Sequence, residues 1–337
     1  MLFDSFLFFQ ELELLEVRLN YLYPIVDKFL IVEAPQTFKG NRKNYNFQNN
    51  IERYTKYLDK IIYFKIEDFH QDPEELMIFL KKNKSSLLRK IYGFIEKHNF
   101  YDKKNLSHIL DTYHRESIHI PLKKFCKDTD LIILSDLDEI PSFEVLNKLK
   151  KQVFLKKPKV IIQHEFQFSF SNFSNSNWFG SIIMQYKNLK NESLNSIRYK
   201  SKEFDYLFNS GYHLTSFGDI KTIKRKIESW AHQEFNDPII KKNIEKNIYF
   251  GKDIFYRFNR KDSKNIDLKN TKLIDIRMKK IILSKEKKEF LTQKKSDIFY
   301  NIKYFFVQLF FYSKRSLKNP KKFFNKIKKV LFYYGSN

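Results

Sequence analysis

Cysteine is nearly missing: Cys126 is the single one among 337 residues. That excludes an internal disulfide and fits a reducing compartment. No Cys/His metal spacing is present either. Glycine (7) and proline (8) are scarce, which argues against disorder, and no internal repeat is found. No run approaches the ~20 apolar residues of a membrane-spanning helix, and the longest candidate, Tyr304 to Tyr312, is too short. The first residues lack a basic segment and a long apolar core, and Asp4 interrupts them at once, so no signal peptide is expected. Acidic charge is also short, with 39 Asp and Glu against 63 Lys and Arg and a formal net charge of +24. Such a surplus suits an anionic partner, whether nucleic acid, membrane or substrate. Its distribution is uneven: residues 1–80 are nearly balanced, whereas 301–337 carry nine Lys/Arg and no acid. Phe is abundant, at 36 residues, in a pattern shared with other AT-rich-codon residues and so partly genomic in origin.

What is present is hydrophobic residues at 42%, enough for a core, and an order of elements that implies a parallel sheet. Leu2 to Phe9 reads as a strand, and Glu11 to Tyr23 has apolar residues at 12, 14, 15, 19 and 22, a helical spacing that Pro24 ends. Phe29 to Val32 reads as a second buried strand with Glu33 at its carboxyl end. Strand, helix and strand in this order form a βαβ unit. A polar loop over 36–50, a short helix over Ile51 to Leu58 and a strand over Lys60 to Ile66 follow. Helices are expected over Pro73 to Glu96, Tyr113 to Phe125, Phe143 to Leu155 and Ile220 to Phe235, and strands over Leu131 to Leu134, Val160 to Phe168 and part of Tyr206 to Thr215. Phe170 to Ser181, rich in Ser, Asn and aromatics, reads as a binding loop. The expected division is a catalytic domain over 1–257 and a basic, aromatic-rich, mostly helical extension over 258–337.

The most informative segment is Leu131-Ile132-Ile133-Leu134-Ser135-Asp136-Leu137-Asp138-Glu139-Ile140-Pro141. A buried strand ends in three carboxylates within four positions. Parallel α/β sheets bind ligands at the carboxyl ends of their strands. Carboxylates crowded there repel one another unless a cation sits among them, and a hard divalent ion touching a phosphate would supply it. The segment therefore points to a metal–diphosphate site, with Asp136, Asp138 and Glu139 as candidate ligands of Mn²⁺ or Mg²⁺. The bland alternative is a solvated acidic turn before a helix, capped by Ser135 or Ser142.

Other candidates are weaker alone. Gly211 and Gly218 bracket His213, which could meet metal or phosphate, and a run of hydroxyls; Asp219 follows, a base or simply a helix cap. His232 and Glu234 stand two apart and do not share a helix face. Arg115 and Glu116 default to a surface ion pair. In 321–334, apolar positions 323, 324, 327, 330, 331 and 334 form a helical stripe with Lys opposite, the pattern of an interfacial membrane helix. No nucleic-acid-binding motif is present.

In order and spacing these blocks resemble glycosyltransferase family 17, the family of β-1,4-mannosyl-glycoprotein β-1,4-N-acetylglucosaminyltransferases. The resemblance runs over Phe3 to Leu19, Val26 to Glu33, Thr37 to Gly40, Arg115, Ser135 to Pro141, Gly211 to His213 and Trp230 to Phe235. It departs at Ser5 (usually Cys), at His114 and Glu116 around Arg115, and at Tyr212 (usually Trp). It implies a GT-A-like (Rossmann-like) fold, a UDP-GlcNAc-type donor, a divalent metal and inversion at the anomeric carbon. On that basis Phe9, Glu11 and Glu33 would line the nucleotide pocket, with Gly211 beside it. Arg115 would approach the donor phosphates beside Asp136. Asp219 or Glu234 would be the general base, and His213 or His232 would complete the metal or diphosphate site. The acceptor would be a glycan or glycolipid of a surface polysaccharide or lipopolysaccharide. The enzyme would be cytoplasmic, peripheral at the inner face of an anionic membrane and without a nucleic-acid partner. The alternatives are a different donor such as UDP-Gal or UDP-Glc, or a non-catalytic basic membrane- or nucleic-acid-binding protein.

Overall fold

Strand β1 (Leu2–Leu7) takes the middle of a parallel set because it is buried on both faces. It pairs in parallel with β2 (Lys28–Glu33) on one side and β4 (Leu131–Leu134) on the other, and β3 (Ile61–Lys65) continues the parallel edge beyond β2. The sheet then turns antiparallel through β7 (Asn172–Gln185) and β6 (Lys159–Gln167). It ends at β9 (Gly211–Thr215) and β5 (Glu139–Pro141), with β8 (Asp205–Leu207) beside β6 and β10 (Lys264–Asn265) beside β7. The protein is thus a mixed α/β structure. This computed structural model describes residues 1–337 except 100, 153–154, 156, 259, 286–297 and 317–337.

Period-2 alternation assigns each strand residue to a face. Leu2, Phe6, Phe29, Ile31 and Ile133 enter one core, beneath the helices Leu12–Leu22 and Ile276–Lys285. Phe3, Leu30, Val32, Ile132 and Leu134 enter the other, beneath Pro73–Lys82, Ser86–Lys97, Leu106–Glu116 and His119–Phe125. The sheet is therefore the middle of three layers. A third cluster joins Ile223, Ile227, Ile240 and Ile244 to Tyr300, Tyr304 and Phe311 of the Ile298–Ser316 helix.

Several expectations change in detail. The helix expected over Pro73 to Glu96 is two, because Asn83 turns the chain and Ser85 caps a new start. The helix expected over Tyr113 to Phe125 is likewise broken near Ser117. Phe170 to Ser181 is not a binding loop but mostly the long strand β7, in which Asn175 and Asn177 are exposed while Asn172, Ser174 and Ser181 are buried. Residues 264–282 stay in the same core as the expected first domain: β10 joins the sheet, and Leu268, Ile274, Met278, Ile281 and Ile282 pack with Leu15 and Tyr21. Asp275 locks this segment by accepting hydrogen bonds from Tyr21 and, at 2.7 Å, from Tyr212. The stripe expected over 321–334 lies outside the described residues. No helix among them is long and apolar enough to cross a membrane.

Candidate functional site

The acidic turn lies at the carboxyl end of β4, beside that of β1, where parallel strands present ligands. Its shape is set by Arg18, fully buried in the Leu12–Leu22 helix. Arg18 Nε and Nη2 pair with Asp4 at 2.9 and 2.6 Å. Nη1 donates to the carbonyls of Asp136, Leu137 and Glu139 at 2.8, 3.0 and 2.8 Å, and Nη2 reaches Ser135 Oγ at 2.5 Å. Ser5 Oγ ties the same region down by donating to the Ile133 carbonyl at 2.6 Å.

The three carboxylates of the turn have different surroundings. Glu139 is fully buried and saturated: it accepts from Trp178 Nε1 at 2.6 Å, Arg198 at 2.9 and 3.0 Å, Ser181 Oγ at 3.2 Å and the Asp136 N–H at 2.9 Å. It is an anchor with no open coordination position. Gly180 is required there, since a Cβ would fall 2.0 Å from Glu139 Oε1. Asp136 keeps 35% of its side chain exposed, between Arg198 at 2.9 Å and Arg115 at 3.3 Å. Burial pushes its pKa up, but the Arg198 and Arg115 charges outweigh that and hold it well below the usual carboxylate range. Asp138 meets Lys226 Nζ at 3.1 Å, and its other oxygen stands 4.0 Å from His213 Nε2. Lys226 also lies 3.7 Å from Glu11.

His213 is buried, stacked on Trp178 with centroids 4.4 Å apart, and its Nδ1 has no hydrogen-bond partner. Strand pairing sets its place, opposite Glu139 of β5 and Glu165 of β6. Glu165 is itself neutralised by Arg260 at 2.6 Å.

Arg115 and Glu116 are not a surface ion pair. Arg115 binds Asp111 and Asn195 at 3.3 and 2.8 Å as well as Asp136. Glu116, fully buried, accepts from Ser193 Oγ and from the Leu194 and Asn195 N–H groups at 2.6, 3.0 and 3.1 Å. It fixes the start of the Leu194–Tyr199 helix, which carries Arg198 to the turn.

The other expected residues disperse. Glu33 is saturated by Lys43 Nζ at 2.7 Å, the Asn46 and Phe47 N–H groups and the Tyr63 hydroxyl at 2.9 Å, so it fastens the 36–50 loop. The Phe9 carbonyl accepts from Asn46 at 2.5 Å, and its ring lies under Lys43. Gly211 serves packing, since a Cβ would fall 2.3 Å from the Ile140 carbonyl. Asp219 is exposed and caps the Ile220–Ser229 helix by accepting from the Thr222 N–H at 2.7 Å. His232 pairs with Glu234 at 3.0 Å on the turn after that helix rather than with the acidic turn. Its ring centroid is 6.3 Å from that of His108. His108 lies on the helix carrying Arg115, seven residues or about 10 Å of helix rise earlier.

Among the described residues no group of three or more His, Cys, Asp and Glu forms a ready metal cage. Sequence reading missed Arg18, Trp178, Arg198 and Lys226. Arg18 had a usable signal, because it falls on the apolar stripe of its helix and so demanded a buried partner.

A family model described as "Glycosyltransferase family 17" matches residues 1–90 and 77–263 of the chain. No curated protein matches it.

Proposed function

Since the chain belongs to glycosyltransferase family 17 and is a glycosyltransferase acting on a sugar donor and an acceptor, we propose that its donor is a nucleotide diphosphate sugar, UDP-GlcNAc, bound in a GT-A-like fold at the acidic turn. The observation that carries this reading is the arrangement of Arg115 and Arg198 around a partly exposed Asp136. A diphosphate entering there would meet two guanidinium groups suited to bidentate phosphate recognition.

The residues fit a divalent ion, Mn²⁺ or Mg²⁺. Glu11, Asp111, Asp136, Asp138 and Glu139 stand against Arg115, Arg198 and Lys226, five carboxylates to three cations, so the site is two negative charges in excess before a dianionic diphosphate arrives. Mg²⁺-type ions are commonly held by one or two carboxylates with the rest of the shell from phosphate and water, not by an all-protein cage. Asp136 and Asp138 would hold the ion, with His213, whose Nδ1 is buried and unpartnered, beside it. Glu139 and His232 drop out of the ligand set, the first saturated and the second paired elsewhere. When bound, the ion supplies Lewis-acid neutralisation of the departing diphosphate.

The residues of the chain then divide the work. Arg18 holds the turn in shape. Arg115 and Arg198 orient the diphosphate and stabilise its growing charge. Glu234, hydrogen-bonded by His232, takes the proton of the acceptor hydroxyl as that oxygen bonds to the anomeric carbon and the carbon–phosphate oxygen bond breaks, which inverts the centre. Glu234 is preferred to Asp219 because the cap bond to Thr222 already occupies Asp219. The acceptor is a glycan or glycolipid hydroxyl. Thermal-shift screening of sugar nucleotides with Mn²⁺ tests the donor: UDP-GlcNAc should stabilise most, and stabilisation by UDP-Gal or UDP-Glc alone would overturn that assignment.

A further inference from the structure

The Ile298–Ser316 helix has two unlike faces. Tyr300, Tyr304 and Phe311 enter the third core cluster, where the Tyr304 hydroxyl donates to the Asp253 carbonyl at 2.8 Å. On the opposite side Phe299, Ile302, Phe306 and Phe310 are 86, 50, 64 and 50% exposed. Their spacing of three, four and four residues makes one continuous stripe. Ile239 of the neighbouring Pro238–Tyr249 helix extends it, and Lys303 lines the same shallow groove. Contiguous exposed apolar surface of this kind marks an interaction site.

We propose that this face rests on an anionic lipid bilayer. Charge selects the occupant. From residue 301 onward the sequence has nine Lys/Arg and no acid. A second copy would bring the same positive charge against the face. Residues 317–337, with Lys318, Lys321, Lys322, Lys326, Lys328 and Lys329 and no acid, carry that sign too. An anionic bilayer offers apolar depth together with opposite charge. Asp237, at the start of the Pro238–Tyr249 helix, is paired with Lys314 at 3.2 Å. The helix is not apolar enough to cross a membrane, so it lies along the surface with its lysine amines at headgroup level. Nothing in this contact depends on the donor chemistry.

Co-sedimentation of the full-length protein with phosphatidylserine-containing vesicles and with pure phosphatidylcholine vesicles tests the proposal. Wild type should bind the anionic vesicles and leave the neutral ones. Phe299→Glu/Phe306→Glu should lower the partition coefficient at least about tenfold, since it removes two inserted rings and adds like charge. Its melting temperature should stay unchanged, because both side chains are exposed. Phe306→Ser alone should move binding the same way. Three results overturn the proposal: no binding of wild type to anionic vesicles, equal binding of the variants, or a wild-type dimer in gel filtration that the double variant dissolves, which would assign the face to a second copy.

Discussion

Arg18 Nη1 donates to the Asp136 carbonyl at 2.8 Å across 118 residues of sequence. The acidic turn is therefore shaped from beneath by a helix in the first βαβ unit. Arg18→Ala would leave Asp4 buried without its cation and remove a donor from each of three turn carbonyls. Breaking such a buried pair costs about 3–5 kcal/mol, read as a lower urea midpoint at pH 7. Arg18→Lys keeps the charge and loses the fork, so it should fold and yet bind donor more weakly.

Lys226 occupies Asp138 at 3.1 Å, where the ion is proposed to bind. Burial lowers the pKa of Lys226, but Asp138 and Glu11 outweigh that and raise it, so it is a cation at neutral pH. Lys226→Met should therefore increase Mn²⁺ affinity, measured from the free-Mn²⁺ electron paramagnetic resonance signal without donor. Unchanged or weaker Mn²⁺ binding would remove Asp138 from the ligand set.

His114 is buried against Phe38 and Tyr113, and burial pushes its pKa from 6.5 down to about 3. Folding thus selects the neutral ring, while the unfolded chain takes up a proton below pH 6.5. The stability gained is complete above that pH and is lost as pH falls toward 3, at up to about 1.4 kcal/mol per unit. His114→Gln removes the titrating group. Between pH 7 and pH 5 wild type should lose about 1–2 kcal/mol more than the variant in urea unfolding.

Glu234 and Asp219 separate by readout. Glu234→Gln should lower kcat by about 10²–10⁴-fold with donor affinity unchanged, the range for loss of a general base. Asp219→Ala should cost about 1 kcal/mol of stability, as for a lost helix cap, with kcat intact. The opposite pattern would exchange their roles.

The parallel half of the sheet was legible because its strands are local runs, apolar on both faces, and its first helix has clean periodicity. The acidic turn was legible because three carboxylates after a buried strand have few uses. The residues that pair with those carboxylates were not: Arg198 and Lys226 are single cations on ordinary helices, 62 and 88 residues from their partners, and no local pattern encodes such a distance. Strand β7 was misread because its Ser and Asn positions resemble loop chemistry, while the pairing with β4 that fixes it in the sheet is non-local. Glu33 and Glu139 share one cause of misassignment. A carboxylate at a strand end can be saturated by backbone and side-chain donors, and only coordinates reveal that.

Asp138 is proposed to hold the ion that neutralises a leaving UDP. Release of UDP from UDP-GlcNAc with Mn²⁺ present, compared between wild type and Asp138→Ala, tests it most directly. Wild type should release UDP in a metal-dependent manner, and the variant, with its fold intact, should release none above background. Full metal-dependent release by Asp138→Ala would contradict that assignment.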